Sequence, residues 1–174
     1  MLPKKVFSVF VALVILFGSL GVTSPAHADG EVPPPPEPIV ITTEVSGQTT
    51  GNDFLPLPDA VVPGPSGQSV TITNRYYPYY GGKVKTDGRA VGNFSQPSGS
   101  RYKCQSHVYN NAGQQGTYTT SYGSYGGANC PYTAQAVLSG GVVPNTYTSW
   151  TKSWWKWSNN TNGYGIAQQS NYQP

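Results

Sequence analysis

From Arg75 to Pro174 the chain carries 18 aromatic residues, comprising every one of its 13 Tyr and 4 Trp together with Phe94, against only eight Val, Leu and Ile. Eight aliphatic side chains cannot fill the core of a domain of this size. Many of the rings must therefore be interior, each burying ~150–250 Å². Aromatic, Thr and Val residues fit the pleated surface of strands, whereas the straight-chain helix formers Leu, Glu and Met are scarce here. The 21 Gly and 16 Pro of the whole chain punctuate it at short intervals, as turns between short strands require. Disordered chains lack such an aromatic load. The expected fold is all-β: a small antiparallel β-sandwich or barrel preceded by a proline-rich extended arm.

Residues 1–28 read as a secretory signal peptide. Lys4 and Lys5 form its basic start, 6–20 its apolar stretch, and Ala26-His27-Ala28 a small-x-small cleavage site, which puts the mature start near Asp29. The apolar stretch is shorter than the roughly 20 residues a membrane span needs. No second such stretch follows, so no membrane span is expected in the mature chain, and a secreted, extracellular protein is. Residues 29–67 read as an acidic proline-rich arm or linker. Pro33-Pro34-Pro35-Pro36 favours an extended polyproline segment, while 39–45 could pair as a strand. Residues 68–174 form the basic Tyr/Trp-rich β domain.

Charge divides along the same line. From 29 to 74 there are six acids and no base, whereas from 75 onward there are eight bases and one acid, Asp87. An acidic arm beside a basic domain suggests a spacer or an intramolecular mask, and the basic domain suggests anionic partners.

Alternation and turn residues place strands at 68–73, 101–110, 117–122 and 131–139. Asp87-Gly88 reads as a two-residue hairpin turn between strands at 83–86 and 89–94, and Gly81-Gly82 as another turn. Arg75-Tyr76-Tyr77-Pro78-Tyr79-Tyr80 reads as an exposed aromatic loop or edge, because Pro78 cannot donate to a central ladder. In 101–110, Tyr102, Cys104, Ser106 and Val108 face one way and Lys103, Gln105, His107 and Tyr109 the other. Residues 146–157 have aromatic spacing compatible with a helix, but their Thr, Tyr, Ser and Trp content favours a strand. Such a strand puts Trp150, Lys152, Trp154 and Lys156 on one face and Trp155 and Trp157 in the core.

Catalytic chemistry finds few residues. The mature chain has one His, His107, on the polar side of its strand, and the basic domain has the single acid Asp87. A pair of facing carboxylates is missing from that domain, and no nucleophile, phosphate-loop or metalloprotease motif occurs. The expectation is a non-enzymatic protein without a cofactor or metal. In an exported chain, Cys104 and Cys130 are expected to form one disulfide.

Interspersed cations and rings suit an anionic envelope polymer, a lipid headgroup or a polysaccharide. Nucleic acid uses similar residues but fits an exported protein less well. The candidate contacts are Trp150, Lys152, Trp154 and Lys156, then Tyr76, Tyr77, Tyr79 and Tyr80, with non-covalent retention at the cell surface as the expected outcome. Finally, Gly92-Asn93-Phe94-Ser95, Gly99-Ser100 and His107-Val108-Tyr109-Asn110 with Gly113 resemble the central part of lactococcin-type β-sandwich bacteriocins. That resemblance implies a small exported cationic protein acting on the cell envelope by blocking septum formation. The two cysteines and the acidic arm depart from the pattern, and the resemblance assigns no functional residue.

Overall fold

Side chains of the long strands turn alternately to the interior and to the outside of two sheets. A computed structural model describes residues 32–47 and 64–174. The export-signal reading at 1–28, most of the proline-rich stretch at 52–67 and the acids Asp29, Glu31, Asp53 and Asp59 lie outside the described residues. Nine strands are described: β1 Ile39–Ser46, β2 Ser69–Tyr80, β3 Lys83–Gly92, β4 Lys103–Asn110, β5 Gln115–Tyr122, β6 Asn129–Cys130, β7 Ala136–Ser139, β8 Asn145–Lys156 and β9 Asn162–Gln173. All pair antiparallel. Sheet A runs β1-β2-β3, with β6 and β7 sharing the far side of β3, and sheet B runs β5-β4-β8-β9. Among the described residues there is no helix, and the two sheets pack as a sandwich.

β1 is an integral edge strand, paired with β2 over its whole length from Ile39↔Tyr76 to Ser46↔Ser69. The strand expected at 39–45 is thus present. The seams between the sheets are closed by side chains: Thr119 Oγ1 donates to Ala134 O at 2.7 Å, the Val137 amide to Thr117 Oγ1 at 2.8 Å, and Gln169 Nε2 to Ile39 O at 3.1 Å.

The interior consists of two apolar clusters with a polar belt between them. One contains Val70, Ile72, Ala90, Tyr102, Cys104, Cys130, Trp155, Trp157 and Ala167, with Phe94 stacked on Trp157 at 5.2 Å. The other contains Tyr76, Val84, Val108, Leu138 and Tyr147. In the belt, Asn74 links the sheets. Its Nδ2 donates to Ser149 Oγ at 2.9 Å, and its Oδ1 accepts from both Thr86 and Thr151 at 2.9 Å. Ser106 bonds Thr151 at 2.9 Å and accepts from Thr133 at 3.0 Å. These groups are buried but satisfied, which is what makes polar atoms tolerable in an interior.

Four expectations are corrected. Asp87-Gly88 is not a hairpin tip, because both residues lie inside β3. Gly88 is needed for close approach: a Cβ there would overlap Thr151 of the facing sheet and the Thr73 carbonyl. The actual β2–β3 turn is Gly81-Gly82, with φ of 57° and 76°, the two left-handed residues that a tight hairpin demands. The aromatic run 75–80 is not a loop but the second half of β2; its edge character holds, because β1 pairs only as far as Tyr76 and the remainder is paired with β3 alone, with a register shift between Tyr77 and Tyr80 around the proline that cannot join the ladder. The strand expected at 131–139 is only β7, Ala136–Ser139.

Lastly, Cys104 and Cys130 are free, fully buried thiols rather than a disulfide. They approach from opposite sheets without being joined. The neighbouring Cys130, reinforced by burial, pushes the Cys104 thiol above its ordinary value. Ser153 Oγ accepts from Cys104 Sγ at 3.6 Å and the Ser121 carbonyl from Cys130 Sγ at 3.3 Å.

Candidate functional site

The inner side of β8 carries Tyr147, Ser149, Thr151, Ser153 and Trp155, all buried, followed by Trp157 just beyond the strand. The outer side therefore presents Thr148, Trp150, Lys152, Trp154 and Lys156, with the outward residues of β4, β5 and β9 beside them. Register aligns these into rows across sheet B. Tyr122, Lys103, Trp154 and Tyr164 form one row, then Thr120, Gln105, Lys152 and Ile166, then Tyr118, His107, Trp150 and Gln168. Same-face neighbours along a strand are about 7 Å apart, so the two aromatic rows lie about 14 Å apart with a polar row between them.

Cations and rings interlock on this face. Lys103 Nζ sits 5.0 Å from the Trp154 ring centre and Lys152 Nζ 4.4 Å from that of Trp150. Trp154 packs against Tyr164 at 5.4 Å. At one end, Arg101 lies 4.2 Å from the Tyr122 ring and 5.3 Å from Tyr125. Tyr118, Tyr122 and Tyr125 are exposed, at 59, 48 and 68%. The acids among the described residues are Glu37, Glu44 and Asp87, and none belongs to sheet B. The face therefore offers Arg101, Lys103, Lys152 and Lys156 with no ion-pair partner among the described residues, where the one ion pair is Arg75–Asp87.

Of the sequence candidates, Lys152, Trp154 and Lys156 are partly exposed on this face as expected. Trp150 shares the face but is only 8% exposed. It is covered by Lys152 and by Tyr118, whose ring lies 5.9 Å away, so it supports the surface more than it forms it. His107 is not an exposed histidine. It is 1% exposed beneath Tyr118, whose ring stacks on it at 3.7 Å and 3°. His107 Nε2 faces Gln115 Oε1 at 2.7 Å and Nδ1 faces the Thr117 carbonyl at 3.2 Å. Tyr118, Tyr122, Tyr164 and Lys103 complete the rows and are not among the sequence candidates. Their signal was the alternation of β4 and β5, but it takes pairing to bring them beside Trp154.

The second candidate group divides. Tyr76 is fully buried in the core and is excluded as a contact. Its hydroxyl has no partner among the described residues, and burial pushes its pKa well above the ordinary tyrosine range. Tyr79 is partly buried and packs against the second cluster, and Tyr80 is 39% exposed at the strand end. Tyr77 lies on the outer side of sheet A, donating to Asp87 Oδ2 at 3.1 Å. Asp87 also receives Arg75 through two bonds, of 2.6 and 2.8 Å, and is itself 3% exposed. The only acid of the basic region is thus committed to an ion pair. That bond to Asp87 raises the Arg75 pKa further.

The described residues contain no group of three His, Cys, Asp or Glu that could hold a metal. Among them no helix is long and apolar enough to cross a membrane. The residues behind the bacteriocin resemblance hold the fold: Asn93 Oδ1 accepts from the Ser69 amide at 2.9 Å, Val108 is core, and Asn110 Oδ1 accepts the Ala112 and Gln114 amides at 3.1 and 3.0 Å. No protein-family model, curated protein or solved structure matches the chain.

Proposed function

We propose that this is an exported, non-enzymatic protein that binds anionic or glycan surfaces of the cell envelope or extracellular matrix, and that the outer face of sheet B makes the contact. The observation that carries the reading is the acid-free set of rows in which Lys103, Trp154, Tyr164, Tyr122 and Lys152 alternate charge with ring. Ammonium groups attract phosphate or carboxylate, while ring faces cover the apolar faces of sugars. The contact residues lie on the face of a sheet, and a flat platform suits an extended polymer better than a small molecule, which binds in concavities. An anionic envelope polymer or polysaccharide is therefore preferred over a single lipid headgroup, and no cofactor is involved.

The test is co-sedimentation of the purified protein with isolated envelopes at low and high salt. The wild type is expected to pellet at low salt and to be released by salt. Lys103→Ala/Trp154→Ala is expected to remain folded, to pellet less and to be released at lower salt. Equal pelleting of both would refute this face as the contact. Killing of sensitive cells by the purified protein would instead favour the bacteriocin reading suggested by the 92–113 resemblance.

A further inference from the structure

The opposite face of the sandwich carries a second cationic surface. Along β3 the outward positions are Lys83, Lys85, Asp87, Arg89 and Val91, since Val84, Thr86, Gly88 and Ala90 point inward. Asp87 is neutralised by Arg75, which leaves Lys83, Lys85 and Arg89 without an acidic partner among the described residues. The other acid on this sheet, Glu44, stands on β1 opposite Thr71, a strand away from β3. Tyr132 lies against both guanidinium groups, 3.7 Å from Arg75 and 4.9 Å from Arg89, so its ring and the exposed Arg89 form one ring–cation unit. Beside it is a shallow depression lined by Val91, Asn129 and Pro131.

We propose that this face is a second binding site for the same class of ligand, an anionic polysaccharide strand, and that the protein bridges two such strands. The proposal rests on the reading of sheet B given above. Its own grounds are charge complementarity and position: Lys83, Lys85, Arg89 and Tyr132 repeat the combination of cation and ring on the far side of a sandwich whose sheets lie about 10 Å apart. One strand cannot lie flat on both faces at once, so two occupied faces join two strands. Joining chains in this way multiplies weak contacts into stable attachment.

Bridging has a signature that single-face binding lacks. Added to soluble polygalacturonate, a bivalent protein raises light scattering as it joins chains, then lowers it again in excess, when every chain is saturated and none is shared. The full chain is expected to give this rise and fall. Lys85→Ala/Arg89→Ala is expected to keep its retardation in gels containing polygalacturonate but to lose the scattering maximum. Lys103→Ala/Trp154→Ala is expected to lose the maximum as well. A wild type that is retarded but never raises scattering would overturn bridging and leave the sheet B reading intact. So would a Lys85→Ala/Arg89→Ala protein with the wild-type maximum, which would mean that two copies join through sheet B. A wild type that is not retarded at all would refute both readings.

Discussion

The four tryptophans lie within eight residues of one another, yet the two sides of β8 use them differently. Trp155 and Trp157 are 3% and 1% exposed, meet edge to face at 5.4 Å and stand in for the aliphatic core the sequence lacks. Trp150 and Trp154 lie on the other side, each beneath or beside a lysine. A one-residue change of position decides between packing and contact, because successive side chains of a strand point to opposite faces. The same residue type is therefore structural or available for binding according to parity, and composition alone cannot tell which.

Substitutions can break this comparison. The largest effect is expected from Trp155→Ala and Trp157→Ala. Core Trp→Ala costs ~3–5 kcal/mol, a large share of the ~5–15 kcal/mol that holds a domain together. Thermal melts should show these variants unfolded or melting far below the wild type. Next comes the belt: Asn74→Ala leaves Thr86, Thr151 and Ser149 short of partners in the interior and is expected to cost ~1–3 kcal/mol in urea titration. Trp150→Ala should fall between core and surface, at about 1–3 kcal/mol, since it is largely covered but lies on the outer side. Trp154→Ala should cost less than about 1 kcal/mol while reducing envelope retention.

The smallest effects concern the unpartnered phenols. Tyr76 and Tyr102 hydroxyls have no partner among the described residues, so Tyr76→Phe and Tyr102→Phe should be neutral or slightly stabilising. Burial raises the pKa of both tyrosines. Unfolding above about pH 10 then releases their protons. Stability from this source is complete below about pH 10 and declines as pH rises through the folded values, and the Phe variants should show a shallower alkaline loss of melting temperature.

The parity of β4 was legible from its alternating residues, and that of β8 followed once its Thr, Tyr, Ser and Trp content had decided for a strand. Lys103, Gln105, His107 and Tyr109 do share the outer side, and Trp155 and Trp157 do point inward. β9 was not foreseen, since it is rich in Gly and Asn, which are depleted in strands. The structure gives the reason for its inward glycines: a Cβ on Gly163 would overlap the Trp155 ring and one on Gly165 would crowd Ile72. The large indoles dictate small neighbours, a relation between strands that no local pattern contains. Asp87-Gly88 misled for a similar reason, with a glycine required by the facing sheet imitating one required by a turn. His107 looked exposed because its strand position is outward, but its cover, Tyr118, comes from the neighbouring strand. The exposed tyrosines of β5 and the Arg89–Tyr132 unit likewise became visible only through pairing and packing.

The most direct measurement follows the four indole N–H signals by NMR while a soluble anionic polysaccharide is added. The Trp154 signal is expected to move most, Trp150 to move less beneath its cover, and Trp155 and Trp157 to stay still. Movement confined to Trp155 and Trp157, or bound polymer that leaves Trp154 unmoved, would contradict the assignment of the outer side of sheet B as the contact face.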